Sequence, residues 1–383
     1  MGKRQSAMGV VGTAMSAVLR AKTDGLIQTR ALSAERIANT IASQEAMKNG
    51  ASALTSKPQR FVFEMTSACN LNCAMCGRNS ADFKPTRFDP AWLAKFNDVA
   101  SEVEEVTLMG WGEPTVHPNF VEFLRWANKN GLRKYFCTNG MKLGDLARHI
   151  FEEQVDVIAV SIDAADEALN NEIRRGSKMD RILGGIRAIV EQKQRLNTPF
   201  PYMNFVTTLM RKNLREFPKI ARLAADLGLQ EIKGVFLTAF DDTLAKESLW
   251  DDMDEVRAVF DETIEIADKL GIKVKIPHLR GEDPSMELPH KPCFTAWRDF
   301  FLGSDGFVRP CMSTPIKLFH IDKYDNFEAM WNSEEIKRFR SLVNNEEKMP
   351  DSCRYCYQSS FANWNKRSSW FQTGLNFSPE WER

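Results

Sequence analysis

The sequence predicts an α/β protein: a partial (β/α)6 TIM-like barrel with a helical N-terminal extension and a small C-terminal module. Three observations carry this. Apolar, strand-length runs alternate with amphipathic helical stretches from residue 61 to about residue 270. Residues 1–60 differ from them in composition, with nine Lys/Arg against three acids and much Ala, Ser and Thr. After residue 277 the rhythm changes, as Pro, Gly and aromatic residues become frequent and four cysteines fall between 293 and 356.

In chain order, the extension offers helices over about 8–22 and over 32–48, the second after the possible N-cap Ser33. It lacks the compact apolar core and cleavage site of a signal peptide. Met1-Gly2-Lys3-Arg4-Gln5-Ser6 fits the myristoylation pattern, which is short and often matched by chance. A helical extension packing on the main domain is preferred to a docking arm for a partner or an anionic surface. Strands are expected at 61–66, 105–109, 133–138, 156–162, 202–209, 231–238 and 273–277. Helices at 118–130, 143–154, 180–195, 214–227 and 251–270 separate them. Strands alternating with helices form parallel sheets with right-handed crossovers, so the chemistry belongs at the strands' C-terminal ends. The expected units are an extension (1–60), a barrel (61–280), a small loop-rich module (281–357) and an aromatic-rich tail (358–383) that covers a face of the protein.

Composition narrows the function. Lys+Arg and Asp+Glu both number 51, so no global positive field attracts nucleic acid. No apolar run reaches the roughly 20 residues of a membrane-spanning helix. The expectation is a soluble, cytoplasmic protein. Eight cysteines stand at 69, 73, 76, 137, 293, 311, 353 and 356. In a large chain without a cleavable signal, their grouping favours metal ligation over disulfides.

Cys69, Cys73 and Cys76 follow the first strand in Glu64-Met65-Thr66-Ser67-Ala68-Cys69-Asn70-Leu71-Asn72-Cys73-Ala74-Met75-Cys76. Three thiolates so spaced can hold three irons of a cubane and leave the fourth open to a small chelating ligand. A structural zinc would want a fourth protein ligand nearby, and none is obvious. These residues resemble the signature of the radical S-adenosylmethionine (SAM) superfamily, CxxxCxxC after the first strand of a partial barrel. The resemblance implies a 4Fe-4S cluster whose open iron binds the amino and carboxylate groups of SAM. Reductive cleavage then yields a 5′-deoxyadenosyl radical that abstracts hydrogen from a substrate. The family often has an aromatic residue before the third cysteine; Met75 stands there, apolar and able to pack near adenine.

Further motifs fall at the expected strand ends. Gly110-Trp111-Gly112-Glu113-Pro114 looks like the family's GGEP element, whose carbonyls accept bonds from the SAM ammonium. Thr138-Asn139-Gly140 is similar to a common family turn. Ser161 and Asp163 stand where the family contacts the SAM ribose or methionyl part. Ile173-Arg174-Arg175-Gly176 resembles the family's I-R-x-G stretch, so Arg174 faces the SAM carboxylate, with Arg175 as the alternate.

Cys293, Cys311, Cys353 and Cys356 make a second thiolate set. Gly306-Phe307-Val308-Arg309-Pro310-Cys311, Trp297, the Ser304-Asp305-Gly306 turn, Phe327 to Asn332 and Cys353-Arg354-Tyr355-Cys356 resemble SPASM and twitch modules. A full SPASM module has seven cysteines; four imply the twitch form, with one auxiliary 4Fe-4S cluster fully ligated by cysteine. Structural zinc is the bland alternative. Without an open iron, such a cluster serves as an electron conduit or a structural element. Cys137, on the third strand, reads as a small buried hydrophobe in preference to a hydrogen-atom donor.

The resemblance favours a radical SAM oxidoreductase that dehydrogenates a polar small molecule such as a sugar or cyclitol alcohol. Radical epimerisation and maturation of a ribosomal peptide are the alternatives, and a metal-binding scaffold is the non-enzyme one. Residues 1–60 lack the strand pattern of a winged-helix leader-binding domain, which lowers the peptide option. The implied partners are a small-molecule or peptide substrate and a low-potential electron donor such as flavodoxin or ferredoxin. No spacing among the five histidines and many acids selects a general base.

Overall fold

The computed structural model describes residues 32–79, 83–239, 241–277, 279, 293–312 and 314–354. The expected helix at 8–22, Cys356 and the aromatic tail lie outside the described residues. The first helix, α1 (Ala34–Lys48), starts where the N-cap signal placed it, and the Ser33 hydroxyl accepts from the Arg36 amide at 3.4 Å. Arg36 donates to the carbonyls of Val103 (2.8 Å) and Asn130 (2.6 Å), so α1 lies against the barrel.

The strands are β1 (Arg60–Phe63), β2 (Asn72–Cys73), β3 (Glu105–Leu108), β4 (Arg133–Thr138), β5 (Val157–Ser161) and β6 (Arg174–Arg175). They continue with β7 (Tyr202–Leu209), β8 (Glu231–Phe236), β9 (Lys273–Lys275), β10 (Asp299–Leu302), β11 (Phe307–Arg309) and β12 (Phe319–His320). Ten form one sheet in the order β12-β11-β10-β1-β3-β4-β5-β7-β8-β9, while β2 and β6 form a separate antiparallel ribbon. From β10 through β9 all neighbours run parallel; β11 and β12 are antiparallel additions. The six expected barrel strands run side by side in chain order. The C-terminal module is continuous with them, since β10 pairs with β1 from Arg60↔Asp299 to Phe63↔Leu302.

The crossover helices are α2 (Phe120–Lys129), α3 (Leu143–Glu152), α4 (Glu167–Ile173), α5 (Met179–Arg195), α6 (Phe217–Asp226), α7 (Asp242–Ala245) and α8 (Met253–Leu270). In α2 the buried side chains are Phe120, Phe123, Leu124 and Ala127, the one-sided spacing of a helix laid on a sheet. The module adds α9 (Thr295–Arg298), α10 (Phe327–Trp331), α11 (Glu334–Leu342) and α12 (Asp351–Arg354).

Rings seal the module to the barrel. Phe61 and Phe327 lie 5.8 Å apart, and Phe96 lies 5.7 Å from both Phe300 and Phe327. Fully burying each such ring stabilises the fold by roughly 1.5–3 kcal/mol. No described helix is long and apolar enough to cross a membrane.

Candidate active site

The loop after β1 carries Cys69, Cys73 and Cys76 to the C-terminal mouth of the barrel, where all three line one cavity of about 230 Å³. Two devices fix the loop. Cys73 pairs across the β2–β6 ribbon with Arg174, and the Ala74 amide donates to the Ile173 carbonyl at 2.7 Å. The turn after β3 presses on the loop from the other side: the Glu113 amide donates to the Ala68 carbonyl at 2.9 Å. A Cβ on Gly112 would sit 2.2 Å from that carbonyl and 2.3 Å from the Thr66 carbonyl. Only glycine permits this approach.

Met75, Gly110, Gly112, Glu113, Ser161 and Arg174 line the cavity. Pro114 and Asp163 do not line it. Pro114 is buried at the start of a 3-10 turn (Pro114–Val116) and shapes the backbone behind the cavity. Asp163 is fully buried and reaches the cavity only through Arg174. Its Oδ1 accepts from the Thr208 amide at 2.7 Å, and its Oδ2 lies 2.7 Å from Arg174 Nε without hydrogen-bond alignment. Burial pushes the Asp163 carboxyl up, and Arg174 opposes that shift. The pair orients Arg174, whose Nη1 lies 4.0 Å from Cys73 Sγ. Because side chains alternate along the ribbon, Arg175 is exposed and the alternate reading for it falls away.

Glu113 is buried and committed to protein donors. It accepts from Thr115 (amide 3.2 Å, hydroxyl 2.6 Å), the Thr138 hydroxyl (2.7 Å) and the Asn139 amide (2.7 Å). Burial raises its carboxyl and these bonds hold it down. Its side chain therefore clamps the β3 turn to the β4 turn, leaving the backbone to face a ligand.

Burial pushes the Cys73 thiol up to about 11, against the pull of Arg174, and raises Cys76 against an amide bond and the charge of Arg78. Metal binding must therefore displace protons from these sulfurs. Donors already point at them: the Leu71 amide lies 3.4 Å and Asn139 Nδ2 3.7 Å from Cys69 Sγ. Among the described residues no three His, Cys, Asp or Glu side chains are placed to share a single ion. A cubane spans a wider set of thiolates than one ion does. Three cysteines on one cavity, N–H donors toward sulfur and a glycine cradle fit an iron–sulfur cluster with a small ligand beside it.

The sequence reading gave Asn139 little weight and passed over Glu64 as a ligand-shaping residue. Asn139 follows β4 and reaches both Cys69 and, at 2.8 Å, Asn70 Oδ1. Polar residues just past strand ends were the available signal. Cys137 lines the cavity and is half-buried, with its sulfur 2.6 Å from the Tyr135 hydroxyl, so it is not the enclosed hydrophobe expected. In the module, Cys293 is fixed by Asn344, which accepts from its amide (2.7 Å) and donates to its carbonyl (2.9 Å). Its sulfur lies 3.0 Å from Thr295 Oγ1. Cys293 and Cys353 pack against the main core, Cys311 follows β11, and Cys356 is outside the described residues.

The fold and the three-thiolate loop define a class: a barrel enzyme built around an iron–sulfur centre. Residues 63–224 match the radical SAM superfamily, and residues 293–357 match the SPASM iron–sulfur cluster-binding domain. The tungsten-containing aldehyde ferredoxin oxidoreductase cofactor-modifying protein of Pyrococcus furiosus is 27% identical over 65% of this chain and 69% of its own length. The AdoMet-dependent heme synthase of Methanosarcina barkeri is 27% identical over 79% of this chain and 90% of its own. In fold, the chain is similar to Streptococcus suis SuiB bound to S-adenosylmethionine, with a TM-score of 0.59 and 14% identity over 81% of this chain and 72% of that one. The chain belongs to the radical SAM superfamily and carries a C-terminal SPASM-type module. It is a radical SAM enzyme: its barrel domain binds SAM and a 4Fe-4S cluster, and its module binds auxiliary iron–sulfur.

Proposed function

We propose that this enzyme oxidises a polar small molecule, such as a sugar or cyclitol alcohol, by hydrogen abstraction followed by loss of a proton and an electron. The observation that carries this is one chain holding both an open-sided three-cysteine cavity and a second, four-cysteine module continuous with the same sheet. Cys69, Cys73 and Cys76 would hold the SAM cluster, and Cys293, Cys311, Cys353 and Cys356 the auxiliary one. When bound, the first cluster and SAM supply the 5′-deoxyadenosyl radical. The chain's own residues position and shield. Arg174, oriented by Asp163, takes the SAM carboxylate; the Gly110–Gly112 backbone takes its ammonium; Met75 packs near the adenine, and Ser161 meets the ribose or methionyl part.

In the balance of the reaction, one hydrogen atom leaves the carbinol carbon for 5′-deoxyadenosine. The hydroxyl proton leaves to solvent or a base, one electron leaves through the auxiliary cluster, and a carbonyl forms. A flavodoxin- or ferredoxin-type donor would supply the electron that starts each turnover.

The names of the two relatives favour a second reading, in which the substrate is a cofactor or its precursor. Reconstituted holoenzyme, SAM and dithionite in heavy water, offered sugar and cyclitol alcohols, tests the first. Product lighter by two hydrogens, formed in step with 5′-deoxyadenosine, supports it. Deuterium gain with no other mass change marks an epimerase. If none of these alcohols stimulates 5′-deoxyadenosine formation, the alcohol reading fails.

A further inference from the structure

We infer that Glu64 is a positioning residue for SAM, through which the C-terminal module takes part in cofactor binding as well as in electron transfer. This rests on reading Gly110 to Pro114 as the SAM cradle. Glu64 follows β1, is almost fully buried, and divides its two carboxylate oxygens between two parts of the molecule. Oε1 accepts from the Trp111 amide at 2.8 Å, inside the turn after β3. Oε2 accepts from the Ser304 amide at 3.1 Å and the Ser304 hydroxyl at 2.8 Å, in the turn between β10 and β11. Gly110 lies on the same side chain: a Cβ there would meet Glu64 Cγ at 2.3 Å and Oε1 at 2.5 Å. Gly110 and Trp111, the residues held by Glu64, both line the cavity.

The link extends to the cysteine loop. Ser304 Oγ lies 2.6 Å from Thr86 Oγ1, which lies 3.1 Å from Ser67 Oγ, two residues before Cys69. The Thr86 amide donates to Ser67 Oγ at 2.7 Å. The Ser304 turn is itself rigid. Asp305 accepts from Arg309 at 2.8 and 2.7 Å and pairs with Lys317 at 3.0 Å. Gly306 takes a left-handed φ of +78° where a Cβ would strike His320. A buried carboxylate accepting three protein donors is a strong and directional tie. It joins a fixed turn of the module to the backbone that cradles the ligand, so loosening either end lets the cradle drift. A simple core-filling role would not place both oxygens on cavity-forming and module-forming turns.

The test uses the full-length, anaerobically reconstituted enzyme as wild type, Glu64→Gln and Ser304→Ala. Five quantities are read: iron per chain, melting temperature, SAM affinity by calorimetry, and the KM and kcat for SAM in uncoupled 5′-deoxyadenosine formation with dithionite. Glu64→Gln turns one acceptor into a donor facing donors, and should raise the SAM Kd and KM roughly tenfold. Ser304→Ala removes one hydroxyl bond and should raise them about threefold. In both, iron content and kcat stay near wild type. The double variant should be no weaker than Glu64→Gln alone, because the residues form one link. If Glu64→Gln does not fold, Ser304→Ala carries the test by itself. Unchanged SAM affinity in the folded variants overturns the inference, as does a loss that only tracks iron or melting temperature. A wild-type enzyme that neither binds nor cleaves SAM sinks the radical reading as well, whereas intact wild-type behaviour with unaffected variants sinks this inference alone.

Discussion

The two ends of the barrel use the same residue types for different ends. At the base, strand starts carry charges of alternating sign across neighbouring strands: Asp299 on β10, Arg60 on β1, Glu105 on β3 and Arg133 on β4, each in register with the next. Arg60 and Arg298 both pair with Asp299, and Glu231 takes Lys275 at 2.6 Å and the Tyr202 hydroxyl at 3.0 Å. Arg133 lies 3.9 Å from Glu104, and Arg60 lies 4.0 Å from Glu105. At the mouth, carboxylates and guanidinia are spent unequally. Glu64 and Glu113 are consumed by backbone and hydroxyl donors, while Arg174 and Arg78 line the cavity with Cys73 and Cys76. The base closes charge against charge across the strands, whereas the mouth sets two guanidinium groups, Arg78 and the Asp163-held Arg174, beside the cysteine sulfurs.

The largest expected effect tests the closed end. Asp299→Ala leaves two buried guanidinia without their shared partner and should cost about 3–5 kcal/mol in denaturant unfolding, with SAM chemistry intact in the folded fraction. A loss under about 1 kcal/mol would mean the base network is not closed as described. The same residue sets an acid limb. Burial pushes the Asp299 carboxyl up, but Arg298 and Arg60 overcome this and hold it at about 2, below its ordinary value. Its folded pKa being depressed, its contribution is full above the unfolded value and disappears as pH falls toward about 2. An Asp299→Asn variant should show a flatter stability profile over that interval. An unchanged profile would remove Asp299 from the acid response.

Of intermediate size is Arg174→Lys, which keeps the charge and loses the fork. SAM affinity should fall roughly tenfold at unchanged iron content; equal affinity would show that the mouth needs only a charge. The smallest effect belongs to Asn139→Ala. Removing an N–H near the Cys69 sulfur should make the SAM cluster's potential more negative in an EPR-monitored titration, at a stability cost of about 1–2 kcal/mol from the lost bonds to Asn70 and Met141. A potential that does not move would confine Asn139 to its bond with Asn70.

Much of the barrel was readable because each unit announces itself locally. Strand runs such as 133–138 and 202–209 match β4 and β7 residue for residue, and the Ser33 cap starts α1. The cysteine loop and the Gly110 to Pro114 turn were readable because close packing and ligation leave few residue types to choose from. What escaped reading depends on partners distant in the chain. Pairing of β10 with β1 joins residues about 240 positions apart, and no local pattern specifies it. Glu64 looks like any acid after a strand until Ser304 folds onto it. The contact of Asp163 with Arg174 was not legible, because a sequence does not say whether a carboxylate meets a ligand or the arginine beside it.

The way the ten-stranded sheet ends has a consequence for how this protein behaves in a crowded cell. A barrel that does not close has two raw borders, each a row of backbone groups on which another chain could lay down a strand. Among the described residues one border is β9, three residues long with lysine at both ends, and the other is the two-residue β12. Borders this short, and charged on one side, give a stray chain little to grip, so the protein keeps an open rim for its cofactor with little exposure to edge-on aggregation.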